Sequence, residues 1–269
     1  LLLMVGARVA DRAVSQPDLI TYNKVLVHID VDPAEIGKNV GPHIPLVGDA
    51  KHIFQDLDKQ EAECSHDEWV DALDGYRRDM QVKRKPNPAY VDPAEFITML
   101  SDKMEEDGIY VADVGQNQIW SCGYHVVKKG RFLTSGGMGT MGYSIPAAMG
   151  ARLAAGKKQV IAVCGDGSFQ MSMMELATMR QHDIPVKIIV LKNQYLGMVR
   201  EYQHYTYKDH YSVVDLSGSP DLEKLSAAYD LKFLRLHNMD DADKVLDKFL
   251  EKDESVLLEC LVDPLDLVK

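Results

Sequence analysis

The chain is poor in cysteine and in long apolar stretches, and each shortage excludes a class of protein. Its 269 residues include only four cysteines, which are widely separated, so there is no CxxC pair, zinc-finger spacing or disulfide framework. The longest strongly apolar runs, Leu1–Gly6 and Ile188–Leu191, are far shorter than the ~20 residues of a membrane span. We therefore expect reduced thiols, a cytoplasmic location and no contact with a membrane.

Positive charge is also in the minority. Lys and Arg number 30 against 41 Asp and Glu, which gives a net charge of −11. Because nucleic-acid binding depends on basic patches, we expect no nucleic-acid partner. The apolar fraction of 46% and the charged fraction of 26% are typical of an ordinary globular protein.

The first residues lack an initiator methionine and a basic segment of the kind that begins a signal peptide. Leu1–Val5 is typical of a buried parallel strand, and Gly6 follows it at once as a turn residue. The sequence therefore suggests that the chain begins in the middle of a domain and is a fragment of a longer protein.

Three segments differ in character. Residues 1–57 alternate short apolar runs with turn and helix signals, which indicates about three strands of a Rossmann-like α/β domain. Residues 58–91 are charged and end in a Lys/Pro-rich stretch that cannot continue a helix, so we interpret them as a linker. Within them, Trp69–Met80 is compatible with one amphipathic helix.

Residues 92–269 predict a doubly wound α/β domain with a mostly parallel six-stranded sheet. Pro93 marks its first helix. Helical patterns separate most of six short β-like runs, and two of these helices are predicted at Leu222–Tyr229 and Asp240–Leu250. The runs are Ile109–Ala112, Phe132–Thr134, Val160–Cys164, Val186–Leu191, Phe233–Leu236 and Val256–Val262.

A Gly-Asp-Gly-Ser segment, Gly165–Ser168, follows the strand Val160–Cys164 and opens a predicted helix, Phe169–His182. A glycine turn at a helix N-terminus binds anions through free backbone N–H groups and the helix dipole. An aspartate there would repel a phosphate unless a cation lay between them. Asp166 is therefore better interpreted as a Mg²⁺ ligand, with phosphate bound through the metal.

A second oxygen ligand follows the next strand. Asn193 comes directly after Val186–Leu191 and Lys192, at the end of an expected neighbouring parallel strand, where ligands of open α/β sheets bind. A simple turn is the alternative for the Gly-Asp-Gly segment. The stretch Gly136–Gly150 adds five glycines in fifteen residues, which indicates either close backbone approach to a ligand or tight packing.

Together these segments resemble the thiamine-diphosphate (ThDP) enzymes, whose metal–diphosphate motif begins with GDG and closes with Asn after a little under thirty residues. Over nearly the whole chain, the resemblance is closest to the large catalytic subunit of acetolactate synthase (acetohydroxyacid synthase). It extends to Asp113–Trp120, which resembles that family's diphosphate-contacting segment, to Leu133–Gly137, and to Leu196–Val199.

The resemblance implies a ligand set. Mg²⁺ would be held by the side chains of Asp166 and Asn193 and by the carbonyl of Tyr195. The implied ThDP contacts are Gln116, Asn117, Gly139, Met141, Gly167, Ser168, Leu196, Gly197 and Met198. The Gly139 carbonyl would accept from the 4′-amino group of the aminopyrimidine, and Met141 would hold the cofactor bent. Core packing is the alternative for Met141.

The front segment resembles the FAD-contacting strand ends of the same family, in which FAD is structural and not a redox partner of the main reaction. The resemblance lies in residues 6–12, 28–39 and 48–50. Generic Rossmann-like turns are the alternative interpretation. The implied FAD contacts are Arg8, Asp11, Arg12, Asp30, Val31 and Asp49.

Two positions depart from the family pattern. Asn117 stands where the family often has histidine, and Tyr202 stands where a tryptophan usually lines the substrate channel. The smaller ring is expected to loosen the discrimination between pyruvate and 2-ketobutyrate as second substrate. The tyrosine-rich stretch Tyr202–Tyr211 suits a mobile lid, a partner surface or an ordinary loop.

The resemblance implies decarboxylation of pyruvate and its condensation with a second 2-keto acid, pyruvate or 2-ketobutyrate, in branched-chain amino-acid biosynthesis. It also implies a homodimer or homotetramer and a regulatory small subunit. In this family the activating glutamate belongs to an amino-terminal domain of the neighbouring subunit, to which nothing in residues 1–269 corresponds. We therefore expect no catalytic residue of that kind here. From this chain alone we expect at most weak binding of ThDP and Mg²⁺, and no synthase activity.

Three alternatives stay open. One is another ThDP enzyme, such as a pyruvate oxidase, a glyoxylate carboligase or a decarboxylase. The second is a non-catalytic ThDP-binding protein. The third is a nicotinamide-dependent dehydrogenase, although no GxGxxG segment follows any predicted strand.

Overall fold

The computed structural model describes residues 1–10, 13–14, 16–60, 65–79 and 85–268, in two compact units, Leu1–Val82 and Lys83–Lys269. The division falls inside the segment 58–91, which also contains a helix, Asp67–Asp79. None of the helices in the described ranges combines the length and the apolar character that a membrane crossing requires.

The first unit contains a three-stranded parallel sheet with the order β1-β2-β3, as the alternation of apolar runs predicted. Its elements are β1 (Leu2–Val5), α1 (Pro17–Thr21), β2 (Leu26–Asp30), β3 (Ile44–Val47), α2 (Ala50–Asp58) and α3 (Asp67–Asp79). A small core forms around Met4, Val9, Leu26 and Val40, all buried. Because the three strands are parallel, the residues that follow Val5, Asp30 and Val47 all lie at the carboxyl-terminal end of this sheet.

The second unit contains the predicted six strands, and all of them are parallel. Its helices are α4 (Pro93–Lys103), α5 (Gln116–Tyr124), α6 (Ser144–Ala155), α7 (Asp166–Ser172), α8 (Glu175–Gln181), α9 (Gly197–Tyr207), α10 (Leu222–Ala228) and α11 (Ala242–Leu250), with a 3₁₀ turn at Met239–Asp241. Its strands are β4 (Ile109–Ala112), β5 (Arg131–Thr134), β6 (Val160–Gly165), β7 (Lys187–Lys192), β8 (Lys232–Leu236) and β9 (Val256–Leu261).

The prediction of a single helix at Phe169–His182 is wrong, because the structure has two short helices there. Met173 and Met174, between α7 and α8, have ψ angles of −21° and −24°. At these angles the backbone tightens, and Leu176 N–H bonds to the Met173 carbonyl at 3.2 Å, a spacing of three residues. The regular α-helical ladder therefore ends at Ser172 and resumes at Glu175.

Helices cover both faces of the large sheet. Successive residues of β6 alternate between two buried clusters: Ile161 and Val163 belong to one, Val160 and Ala162 to the other. The first cluster also contains apolar side chains of α4, α5 and α11, and the second contains side chains of α6, α8 and α10. A sheet buried on both faces explains why its strands are almost uninterrupted apolar runs.

The strand order β5-β4-β6-β7-β9-β8 has a switch point between β4 and β6. From β4 the chain moves first to β5 on one side and then to β6 on the other. The loops after β4 and β6 consequently leave the sheet in opposite directions and open a crevice at the carboxyl ends of the strands. Ligands of doubly wound proteins bind at such a crevice.

Candidate functional site

A cavity of about 230 Å³ lies at this crevice, above the ends of β4, β6 and β7. Its lining includes all nine predicted ThDP contacts and all three predicted Mg²⁺ ligands. These are Gln116, Asn117, Gly139, Met141, Asp166, Gly167, Ser168, Asn193, Tyr195, Leu196, Gly197 and Met198. Four separate stretches of sequence thus meet in one place.

Six further residues line the cavity; none was named as a ligand contact, although all except Leu191 lie in segments that the sequence analysis marked. They are Val114, Gly115, Trp120, Gly165, Leu191 and Val199. Trp120 is the last residue of the segment Asp113–Trp120 and lies four residues after Gln116 in α5, a spacing that places both on one side of the helix. Its indole Nε1 is buried without an acceptor in the described part of the chain.

Asp166 ends the turn after β6 and is almost fully buried. Its Oδ1 accepts from Gly167 N–H at 3.0 Å and its Oδ2 from Gln194 N–H at 2.7 Å. Burial raises the pKa of Asp166 to about 6, and these backbone hydrogen bonds lower it only in part. A desolvated carboxylate of this kind is a favourable site for a cation.

Asn193 directly follows β7, which pairs in parallel with β6, so the predicted neighbouring-strand arrangement is confirmed. Its Oδ1 accepts from Tyr195 N–H at 2.9 Å. No group of three or more His, Cys, Asp and Glu side chains in the described residues could hold a metal. The candidate Mg²⁺ ligands do not form such a group, because they are one carboxylate, one amide oxygen and one backbone carbonyl. Mg²⁺ commonly completes a set of this kind with oxygens of phosphate and water.

Gln116, the first residue of α5, connects the two sides of the crevice. Its Oε1 accepts from Asn193 Nδ2 at 3.1 Å. Its Nε2 donates to Glu201 Oε2 at 2.9 Å and to the Asp266 carbonyl at 3.2 Å. The side chain is therefore held at both ends of its amide.

A side chain at Gly197, at the start of α9, would displace the end of the Gln116 side chain. A Cβ there would lie 2.0 Å from Gln116 Oε1 and 2.8 Å from Asn193 Nδ2. Gly139, in the glycine-rich stretch, has a φ of +66°, which L side chains rarely adopt. Close approach at Gly197 and backbone conformation at Gly139 therefore both favour glycine at this site.

Asp113 holds the glycine-rich stretch in place, a role that the sequence did not reveal. Its carboxylate is fully buried and accepts from the N–H groups of Val114 at 2.8 Å, Gly142 at 2.9 Å and Ser144 at 2.7 Å. The segment that carries Gly139 and Met141 is thereby anchored to the end of β4.

Asn117 lines the cavity, but its amide nitrogen is engaged elsewhere. Nδ2 donates to the carbonyls of Asp113 at 2.8 Å and Val163 at 3.3 Å. These bonds tie α5 to the ends of β4 and β6. Asn117, which stands where the family pattern often has histidine, therefore stabilises the local backbone in addition to lining the cavity.

Tyr202 is not among the residues that line the cavity. It lies on α9 with 58% of its surface exposed, and its ring meets Tyr207 edge-on. The loop or lid expected at Tyr202–Tyr211 is helical as far as Tyr207, and Lys208 ends the helix with a φ of +50°. His204 Nδ1 and the hydroxyl of Tyr211 both contact Asp209 Oδ1 at 2.5 Å.

The predicted FAD contacts belong to the first unit. Asp30 ends β2, and its Oδ1 accepts from Asp32 N–H at 2.9 Å, while Asp49 caps α2 by accepting from Lys51 N–H at 2.8 Å. Val31 is exposed, and the Arg8 carbonyl accepts from Asn39 Nδ2. Asp30 is thus the last residue of its strand, and Arg8, Val31 and Asp49 lie in the loops after β1, β2 and β3. Asp11 and Arg12 lie outside the described residues.

Two family models match the chain. Residues 113–260 match the C-terminal TPP binding domain of thiamine pyrophosphate enzymes, and residues 1–57 match the central domain of the same enzymes. The first match includes the ends of β4, β6 and β7, where the cavity lies.

Curated relatives are similar over almost the whole chain. The acetolactate synthase large subunit of Lactococcus lactis subsp. lactis is 36% identical over 97% of this chain, and the chain covers 46% of that relative. A probable acetolactate synthase large subunit of Methanocaldococcus jannaschii is 37% identical over 98% of the chain, again with 46% of the relative covered. The large subunit of Pyropia yezoensis is 35% identical over 97%, with 45% covered. The chain thus spans less than half the length of these relatives.

Proposed function

Because the chain belongs to the thiamine pyrophosphate enzyme family, we propose that residues 92–269 bind ThDP through Mg²⁺ in the cavity between β4, β6 and β7. The observation that carries this proposal is the convergence of twelve expected contacts from four stretches of sequence on that cavity. Residues 1–57 would form the carboxyl-terminal part of a central, FAD-contacting domain, and 58–91 would link the two.

The residues present fit these ligands. Asp166 and Asn193 would hold Mg²⁺ through side-chain oxygens and Tyr195 through its carbonyl. The diphosphate would bind at Gln116, Gly167, Ser168, Leu196 and Gly197, and Asn117 and Met198 would be further contacts of ThDP. ThDP, when bound, supplies an electron sink for cleaving and forming bonds at the keto carbonyl carbon of a 2-keto acid.

The remaining residues of the cavity would orient the cofactor and exclude water. The Gly139 carbonyl would accept from the aminopyrimidine, and Met141 would pack against the bent cofactor. Asp113 keeps both at the crevice by anchoring their loop through three backbone N–H groups. Fixed loops of this kind reduce the cost of ordering the site when the ligand arrives.

A direct test is thermal unfolding of the chain with ThDP and Mg²⁺, separately and together, with NAD as a comparison. A ligand that binds only the folded state raises the melting temperature. We expect stabilisation that needs both ThDP and Mg²⁺ and none with NAD. D166A should abolish it, whereas D230A, which removes an exposed carboxylate paired with Arg180 at 3.3 Å, should not. Equal stabilisation of D166A and the parent chain would contradict the proposed metal ligand.

We further propose that the complete protein is an acetolactate synthase. The support is that three relatives named for this activity are 35–37% identical over nearly the whole chain. The test is product analysis of the protein expressed from its gene, over whatever length the gene encodes. With pyruvate alone the expected product is acetolactate, and with added 2-ketobutyrate it is acetohydroxybutyrate. Acetaldehyde or acetyl phosphate as main product would favour a decarboxylase or an oxidase.

The choice between the two acceptors is proposed to depend on Tyr202. Its exposed ring is smaller than the tryptophan of the family pattern, so we expect weak discrimination. Competition between pyruvate and 2-ketobutyrate in Tyr202→Trp and the parent protein tests this, with a rise in 2-ketobutyrate preference expected in the variant.

FAD is proposed as a ligand of the first unit. The Oδ1 atoms of Asp30 and Asp49 are engaged by backbone N–H groups, so their Oδ2 atoms would accept from ribose hydroxyls. Arg8, Val31, Asp11 and Arg12 complete the proposed set. Titration of FAD fluorescence with the chain should show quenching that D30A and D49A weaken.

A homodimer or homotetramer and a regulatory small subunit are proposed from the family resemblance. Exposed apolar side chains in the second unit, Met138, Met171 and Met174, give some support for self-association. Light scattering across a concentration series measures the oligomeric state. A monomer at every concentration would count against assembly by this chain.

A further inference from the structure

We infer that Glu201 is a positioning residue for the candidate metal ligand Asn193 and acts through Gln116. This inference rests on the Mg²⁺ site proposed above. Glu201 lies on α9, is only 7% exposed and is not among the described residues that line the cavity. A buried carboxylate is costly unless N–H groups satisfy it, so its donors show what it holds in place.

Two donors reach the same oxygen of Glu201. Its Oε2 accepts from Gln116 Nε2 at 2.9 Å and from Val268 N–H at 3.1 Å. A backbone N–H can only donate, so Oε2 acts as an acceptor at this position. Gln116 must therefore turn the amino end of its amide toward Glu201, and the Asp266 carbonyl accepts from that same end at 3.2 Å.

The orientation of Gln116 determines the orientation of Asn193. With its amino end committed, Gln116 presents Oε1 to Asn193, and Asn193 Nδ2 donates to it at 3.1 Å. The oxygen of Asn193 then faces the other way, where it accepts from Tyr195 N–H at 2.9 Å and keeps a second lone pair for a cation.

The carboxylate thus sets the direction of two successive amides. If either amide were rotated by half a turn, Asn193 would present N–H groups where an oxygen ligand is required, and Mg²⁺ binds oxygen ligands. Groups that orient metal ligands commonly change metal affinity by about 10- to 100-fold when they are removed. Glu201 would act at this level without touching the metal.

The test compares three variants of the full chain. E201M keeps an unbranched side chain of similar length but removes the acceptor. E201Q keeps an acceptor oxygen for Gln116 and Val268. E175M makes the same change as E201M at a half-buried glutamate of α8 that accepts from Thr178 Oγ1 at 2.9 Å, and it serves as the matched control.

Mg²⁺ is titrated at saturating ThDP, and its apparent Kd is obtained from calorimetry and from the shift in melting temperature. We expect the Kd for Mg²⁺ to rise about 10-fold or more in E201M and to stay within about threefold of the parent value in E201Q and E175M. A purely structural role would lower the melting temperature without ligand and leave this Kd unchanged.

Every outcome is decisive. No Mg²⁺-dependent ThDP binding by the parent chain would refute the proposed function and this inference with it. Normal binding by the parent chain and by E201M would refute the positioning role alone, as would equal weakening in E201M and E201Q. E201A provides a smaller replacement in case E201M does not fold. If neither folds while E175M does, Glu201 serves stability, and the positioning role is refuted.

Discussion

Replacing Gly197 with alanine tests whether the crevice is as tightly assembled as its contacts indicate. The new Cβ would lie 2.0 Å from Gln116 Oε1, 2.7 Å from Gln116 Cδ and 2.8 Å from Asn193 Nδ2. Carbon atoms do not approach other heavy atoms so closely without bonding, so the Gln116 side chain must leave its position.

The cost follows from the hydrogen bonds that Gln116 would lose. Its bond to the Glu201 carboxylate is worth about 1.5–3 kcal/mol, and those to Asn193 and to the Asp266 carbonyl are each worth about 1 kcal/mol. Alanine regains up to about 1 kcal/mol over glycine in a helix. We expect a net loss of about 2.5–4 kcal/mol, or roughly 5–15 °C in melting temperature for a unit of this size.

The assay is denaturant and thermal unfolding of Gly197→Ala beside Gly150→Ala. A Cβ on Gly150, within α6, would meet nothing within 4 Å, so that variant should be unchanged or more stable by about 0.5–1 kcal/mol. Gly197→Ala should also weaken ThDP binding in the presence of Mg²⁺ by at least about 10-fold. If it unfolds and binds like the parent chain, Gln116 is not held as described.

Three further predictions concern buried charges. Glu259, 1% exposed, pairs with Lys192 at 2.8 Å and with Arg235, and its replacement by leucine should cost about 3–5 kcal/mol. In denaturant unfolding K192M/E259L should lose less stability than E259L alone, because one of the two unpaired cations is gone; a loss equal to the sum of the K192M and E259L losses would contradict the pairing. Burial lowers the pKa of His125 to about 4, with a further contribution from the Lys128 charge. Since the unfolded imidazole titrates near 6.5, stability should be constant above pH 6.5 and fall by about 1–2 kcal/mol, discounted for partial exposure, as pH drops to 4, a loss absent in His125→Phe. D113N should lower the free energy of unfolding by about 2–3 kcal/mol and weaken ThDP binding, because an amide cannot accept all three N–H groups. Thermal unfolding with and without ligand measures both effects, and unchanged binding would show that the glycine-rich loop does not need this anchor.

Local signals in the sequence were sufficient for most of the fold. The strand Ile109–Ala112 and the helix start at Pro93 were predicted to the residue, because burial on both faces and proline at a first helical position are strong, short-range signals. The break at Met173 and Met174 was missed. It depends on a small change in backbone angle that no residue type announces.

Local signals likewise identified some residues of the candidate site and not others. Asp166 and Asn193 were identified because each directly follows a strand, and parallel neighbours bring such residues to one edge. Glu201 and Asp113 were not, because their partners lie 85 and about 30 positions away along the chain. Contacts of that range depend on the packed fold, and a single sequence does not reveal which polar side chains are buried together.

The strand order has a consequence for how the site is made during synthesis. Asn193 directly follows β7, which has β6 on one side and β9 on the other. Along the chain, β9 is the last of the six strands to be synthesised. Although every expected cofactor contact lies before residue 200, β7 remains an edge strand until residues 256–261 have left the ribosome. The carboxylate that orients Gln116 gains its second donor, Val268, later still. We therefore expect a nascent chain to acquire a binding-competent crevice only after residues 256–268 have been synthesised, since pairing between distant strands is a late step in folding.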